Sequence, residues 1–214
     1  MKFDAIIFDL DGTLWDSTNS ILIAWNNIFR HYKIDVTIDN TLLKIFMGMT
    51  NEDIKKTLNS KFNIMIPDYI FDKCIIEELN VIKKQGGNIY DEVIETLRIL
   101  KKTYNLFIVS NCQKGYIEEF LKFYNIYNLF LDFESAGNTK LNKAENISIV
   151  MKRNNIKNAI YIGDTYSDYI SAQKNNIPFI HASYGFEHKN IYKYEMDSFS
   201  NLIDLLSKIE KNES

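Results

Sequence analysis

The 214-residue chain carries 25 Lys and Arg against 28 Asp and Glu, a formal net charge of -3, with 46% hydrophobic and 14% aromatic residues. That apolar content suffices for a buried core and excludes a disordered chain, while the charge gives no reason to expect nucleic acid or an anionic membrane as partner. Only 2 prolines and 8 glycines argue against collagen-like or turn-dense all-β designs, and no apolar run approaches the ~18 residues of a membrane span.

The first element is an apolar run, Ala5-Ile6-Ile7-Phe8, that has the look of a buried strand and ends at Asp9. It meets Asp9 before a signal-peptide core could be complete. From about Asp16 to Ile82 the pattern turns helical, with segments Ser20 to Tyr32, Asn40 to Phe46, Glu52 to Leu58 and Pro67 to Lys83. Gly86-Gly87 marks the return to a strand–helix rhythm. An amphipathic helix from Glu92 to Leu100 then precedes a second strand, Leu106 to Val109, which stops at Ser110-Asn111. A helix from Tyr116 to Phe123 is followed by a weaker strand from Leu129 through Phe133, then a helix from Ala144 to Met151. Ala159 to Ile162 is the next strand, ending at Gly163-Asp164; Phe179-Ile180 is the last. Phe199, Leu202, Ile203 and Leu206 suggest a closing helix, and the charged tail from Lys208 to Ser214 is expected to fray. Chemistry in an open parallel sheet gathers at the carboxyl ends of strands, so Asp9, Ser110 and Asp164 are expected to share a crevice.

Strand one runs straight into Asp9-Leu10-Asp11-Gly12-Thr13. In extended backbone Asp9 and Asp11 would share a face, and at about 4 Å their repulsion would cost ~4 kcal/mol at an effective dielectric near 20. A shared proton or a cation is therefore expected between them. With Asp164 and Asp168 following a later strand, and no His or Cys at ligand spacing, the hard oxygen donors favour Mg²⁺. Gly12 permits close backbone approach, and Thr13 offers a hydroxyl to an anion.

Phe8-Asp9-Leu10-Asp11-Gly12-Thr13-Leu14, then Ser110, a lysine near 143, and Gly163-Asp164-Thr165-Tyr166-Ser167-Asp168 resemble, in order, the four motifs of the haloacid dehalogenase-like phosphohydrolases. The helical insert after the first motif resembles the helical-cap subclass that includes phosphoglycolate phosphatases and β-phosphoglucomutase. The resemblance implies an α/β fold, a Rossmann-like parallel sheet with helices on both faces. Residues 1–15 and 83–214 would form the catalytic core and 16–82 an inserted α-helical cap.

It further implies Asp9 as nucleophile, Asp11 as general acid and base, and Lys143 as the cation that neutralises nucleophile and phosphoryl group. Lys140 competes for that last role, because the subclass's usual Lys-Pro is absent. Ser110, Asn111, Gly12 and Thr13 would bind substrate, with Ser110 near a helix start. Mg²⁺ would be held by Asp9, Asp11 through its carbonyl and Asp164, with Asp168 helping directly, from behind these ligands or through water. The implied substrate is a small phosphate ester, phosphoglycolate among the candidates; a phosphomutase or a non-catalytic regulator are the other readings.

The remaining expectations are a cytoplasmic protein, monomer or homodimer, with neither nucleic acid nor membrane as partner. Cys74 and Cys112 are too few and too far apart for a disulfide framework, and Cys112 reads as a small buried thiol. His31, His181 and His188 are expected on the surface or in loops. Phe46-Met47-Gly48-Met49 and Tyr184-Gly185-Phe186 could either pack or border the crevice.

Overall fold

A computed structural model describes residues 2–189 and 191–212. Its centre is a parallel sheet formed by β1 (Ala5–Phe8), β4 (Asn105–Ser110), β5 (Asp132–Ser135), β6 (Ala159–Gly163), β7 (Phe179–Ala182) and β8 (Glu195–Met196). Their order across the sheet is β5-β4-β1-β6-β7-β8. β1 lies in the middle, Ile7 opposite Phe107 on one side and Tyr161 on the other. The chain builds outward from β1 to β4 and β5, then returns to place β6 on the opposite flank. That reversal opens a crevice at the carboxyl ends of the central strands.

The central strands β1, β4 and β6 read as continuous apolar runs because both of their faces are covered. Ile6, Phe8, Leu106, Ile108, Ile160 and Ile162 point into one apolar cluster. Ala5, Ile7, Phe107, Val109, Ala159 and Tyr161 point into the other. The first face is closed by α5 (Val93–Leu100), α6 (Tyr116–Phe123) and α10 (Leu202–Asn212); the second by α8 (Lys143–Arg153) and α9 (Tyr166–Lys174). Each buried Leu, Ile or Phe contributes roughly 1.5–3 kcal/mol, so this two-sided packing fixes where the strand ends sit.

Between β1 and β4 lie α1 (Thr18–His31), α2 (Asn40–Phe46), α3 (Asn51–Phe62) and α4 (Asp68–Gln85). They build a separate apolar cluster around Trp25, Phe29, Leu42, Phe46, Leu58 and Phe71. Both crossings between these helices and the sheet run through one antiparallel ribbon, β2 (Trp15–Asp16) with β3 (Asn88–Ile89), where Trp15 faces Ile89. Gly86 ends α4 at φ +67°, its N–H donating to the Ile82 carbonyl.

Several expectations need correction. The weak strand begins at Asp132, three residues beyond Leu129; Tyr127–Leu129 is a 3₁₀ turn. The ribbon β2–β3, the edge strand β8 and the short helix α7 (Ala136–Thr139) carry too few residues to show a period. The tail does not fray at Lys208: α10 continues to Asn212 because Ile209 is buried against the sheet; Glu213 and Ser214 lie outside the described residues. His181 is not on the surface but fully buried on β7, whereas His31 and His188 are exposed. Among the described residues no helix is long and apolar enough to cross a membrane.

Candidate active site

Two strand ends and one helix start deliver the acidic residues. Asp9 follows β1, Asp164 follows β6, and Asp168 stands in the first turn of α9. Each offers a carboxylate oxygen within 4.8 Å of the others, all three buried. Lys143, the first residue of α8 and 1% exposed, points into them: its Nζ lies 3.0 Å from Asp9 Oδ1 and is ion-paired with Asp168 Oδ1. The helix starts that aim these groups are built from local signals. Asn142 and Glu145 form a capping box that begins α8 one residue before Lys143. Thr165, not Asp164, caps α9, and Asp168 completes that second box. Asp168 thus serves two helices: Oδ2 accepts from the Thr165 N–H (3.0 Å) and hydroxyl (2.7 Å), while Oδ1 holds the ammonium. Lys140 is exposed at the end of α7, so Lys143 is the lysine of the cluster.

Electrostatics follow from the count of three buried carboxylates to one buried ammonium. Burial, with Asp168 adding to it, pushes Asp9 up to about 7 although Lys143 pulls it down. Burial and the charges of Asp168 and Asp9 raise Asp164 well above the carboxylate range. Burial alone would lower Lys143, but Asp168 and Asp9 reverse this and hold it above the ordinary lysine value. One oxygen of Asp164 accepts from the Phe186 N–H at 2.8 Å; the other, Oδ1, is buried with no hydrogen-bond partner. An orphaned buried oxygen within an all-oxygen, net-negative cluster is the donor set that suits a hard divalent cation.

Asp11 lines one cavity with Asp9 but is held by hydrogen-bond partners of its own. The chain turns immediately after β1, the Leu10 carbonyl receiving the amides of Thr13, Leu14 and Trp15. The Asp11 carboxylate is outside the three-carboxylate group. Its Oδ1 accepts from Ser17 Oγ (2.5 Å) and from the Tyr116 hydroxyl (2.9 Å), which is also 2.7 Å from Ser17 Oγ. Burial nevertheless lifts Asp11 to about 6, against the pull of these two donors. Ser17 sits at the α1 N-cap position but makes no cap; its hydroxyl is turned to the site.

The glycine of the motif is required by space. Gly12 lies at φ +82°, and a Cβ there would run into the Asp164 carboxylate and the Phe186 ring. Thr13 is buried with its hydroxyl unpartnered. Ser110, the last residue of β4, is buried but not at a helix start: α6 begins only at Tyr116, after Gly115 at φ +88°. Asn111 bridges to the insert, its Nδ2 donating to the Gly48 carbonyl at 2.8 Å. Phe46 to Met49 accordingly borders the crevice. Cys112 is half-buried on the same cavity, and burial raises its thiol well above the ordinary value.

Sequence patterns gave no sign of Ser17, Tyr116 or Glu78. Glu78, on α4 and 5% exposed, accepts from Trp25 Nε1 (2.7 Å) and Gln113 Nε2 (2.9 Å). Tyr184-Gly185-Phe186 was one candidate border that does reach the site, Phe186 by its N–H on Asp164 and Tyr184 by its hydroxyl on the Thr13 carbonyl. His181 supports the cluster from behind: Nε2 is 3.1 Å from the Asp164 carbonyl and Nδ1 is 3.0 Å from Glu195 Oε2.

This sheet, with its strand-end acids and buried lysine, is that of a known class of hydrolase. Residues 6–182 match the family model for haloacid dehalogenase-like hydrolases, and the chain belongs to that family. Among its curated relatives, the phosphoglycolate phosphatase of Aquifex aeolicus (strain VF5) is 29% identical over 169 residues, covering 76% of this chain and 76% of that one. Pyrophosphatase PpaX of Bacillus mycoides (strain KBAB4) is 24% identical over 221 residues, 98% of this chain and 99% of that one. A solved structure of a predicted phosphatase from Clostridium acetobutylicum is similar at a TM-score of 0.78 and 26% identity, over 99% of this chain and 100% of that one.

Proposed function

We propose that this chain is a Mg²⁺-dependent phosphatase that hydrolyses a small phosphate monoester through an aspartyl-phosphate on Asp9. The observation that carries the reading is the meeting of Asp9, Asp164, Asp168 and Lys143 in one buried cluster beside Asp11. Asp9 and Asp164, with the Asp11 carbonyl, would hold the ion; when bound, it supplies positive charge to the phosphoryl oxygens. Asp168, whose two oxygens already serve Lys143 and Thr165, acts by positioning rather than as a direct ligand.

An Asp9 carboxylate oxygen attacks phosphorus, and the bond to the leaving oxygen breaks. Asp11, close to neutrality on the acid side, gives its proton to that oxygen so that a neutral alcohol departs. Water then attacks the aspartyl-phosphate, passing its proton to Asp11, and phosphate leaves with Asp9 restored. Lys143 offsets the charge that gathers between nucleophile and phosphoryl group. Ser110, Thr13 and the amides after β4 offer donors to the phosphoryl oxygens. Residues 16–82 act as a cap that excludes bulk water and large substrates.

Phosphate release from a panel of esters, with and without EDTA, tests the reading. Release should stop in EDTA, return with Mg²⁺, and fall more than about a thousandfold in Asp9→Asn, which should stay folded. Full activity in that variant, or release indifferent to EDTA, removes the assignment.

A further inference from the structure

Resting on the phosphatase reading, we propose that Glu78 makes the leaving-group cavity select a cationic or neutral alcohol and reject one that carries a second anion. The cavity holds about 60 Å³, room for only a few heavy atoms. Asp9 and Asp11 form one end of it. Because Asp11 protonates the departing oxygen, the group attached to that oxygen extends into this space. The larger cleft on the other side of Gly48 is walled by Lys143 but not by Asp11.

The cavity's remaining walls combine apolar side chains, Ile21, Leu43, Phe46 and Met49 among them, with neutral polar groups such as Ser110, Gln113 and Tyr116 and one further carboxylate, that of Glu78. No lysine, arginine or histidine lines it among the described residues. The nearest buried cation, Lys143, is committed to Asp9 and Asp168 and to the phosphoryl charge. A carboxylate on the leaving group would therefore enter a space whose donors are all neutral and face the carboxylates of Glu78 and Asp11. Burial raises Glu78 above the ordinary glutamate value, and the N–H donors of Trp25 and Gln113 on its two oxygens oppose that rise, holding it toward the ionised form. Those donors are neutral and leave its charge uncompensated. An ammonium on the substrate supplies the missing charge, and in a buried site such pairing discriminates strongly.

Three two-carbon esters differing only at the far end provide the test: phosphoethanolamine, 2-hydroxyethyl phosphate and phosphoglycolate, assayed with Mg²⁺. We expect kcat/KM to fall by about tenfold at each step in that order. In Glu78→Gln the spread from first to last should shrink to within about threefold. Phosphoglycolate matching or exceeding 2-hydroxyethyl phosphate in the unaltered enzyme overturns the proposal, whether or not the variant folds. So does a spread that survives in folded Glu78→Gln, or hydrolysis of p-nitrophenyl phosphate without the stated order. Absence of release from every ester, p-nitrophenyl phosphate included, instead defeats the phosphatase reading itself.

Discussion

Lys143→Met removes the one ammonium from the acidic cluster while nearly keeping its volume. At 3.0 Å from Asp9 Oδ1 the ammonium contributes about 5–6 kcal/mol of Coulomb attraction at an effective dielectric near 20. Net costs of breaking a buried pair run at ~3–5 kcal/mol, because the partner charge is left behind. We expect that loss at pH 8.5 in EDTA, read from urea denaturation midpoints. The sign of its pH dependence follows from Asp9, already raised from 3.8 to about 7 with the ammonium beside it. Without Lys143 its folded value moves higher still, so the folded variant binds more protons than the unfolded chain over a wider range. The Asp9 contribution to the stability of the unaltered protein falls as pH rises from about 4 to about 7 and then levels. The variant keeps losing stability above 7. The gap between the two should be smallest near pH 5 and widest above pH 8. A gap that is constant, or that narrows as pH rises, refutes the charge accounting of the cluster.

Two further outcomes bear on the site. Tyr116→Phe removes a donor that stabilises ionised Asp11, so the basic limb of the kcat/KM profile should move up by about half to one pH unit; a limb that stays fixed or moves down disproves the role of Asp11 as acid. Gly12→Ala forces a Cβ into left-handed backbone and against Asp164, costing at least ~1–2 kcal/mol in thermal or urea unfolding and reducing Mg²⁺ affinity in calorimetry; unchanged stability and affinity would contradict the close packing described.

The sheet was legible because its strands are uninterrupted apolar runs that end abruptly at Asp9, Ser110 and Asp164, and covering on both faces demands such runs. Lys143 comes from the resemblance, with Lys140 as its competitor; the capping box of Asn142 and Glu145 that starts α8 and aims the lysine emerges only in the structure. What failed were inferences that needed the path of the chain. The Asp11 carboxylate falls outside the group of Asp9, Asp164 and Asp168, after a turn in which the Leu10 carbonyl gathers three amides, which no residue period reveals. His181 is buried because its partners are Glu195 and two main-chain carbonyls, of Asp164 and Glu187, groups that carry no signature at His181 itself. Glu78 looks like any acid on a polar helix face until Trp25 and Gln113 arrive from distant segments.

The narrow ribbon at Trp15–Asp16 and Asn88–Ile89 has a consequence for how such a molecule can be altered. Since departure and return of the four helices are hydrogen-bonded neighbours, some seventy residues of polypeptide begin and finish at nearly one point. A transplant between relatives would have to match that doorway and the contacts of Asn111 with Gly48 and of Gln113 with Glu78, leaving every strand register untouched. Ser17 needs the same care: it sits just past the threshold yet touches Asp11, so a graft that discards it would remove one of the two hydroxyls on that carboxylate.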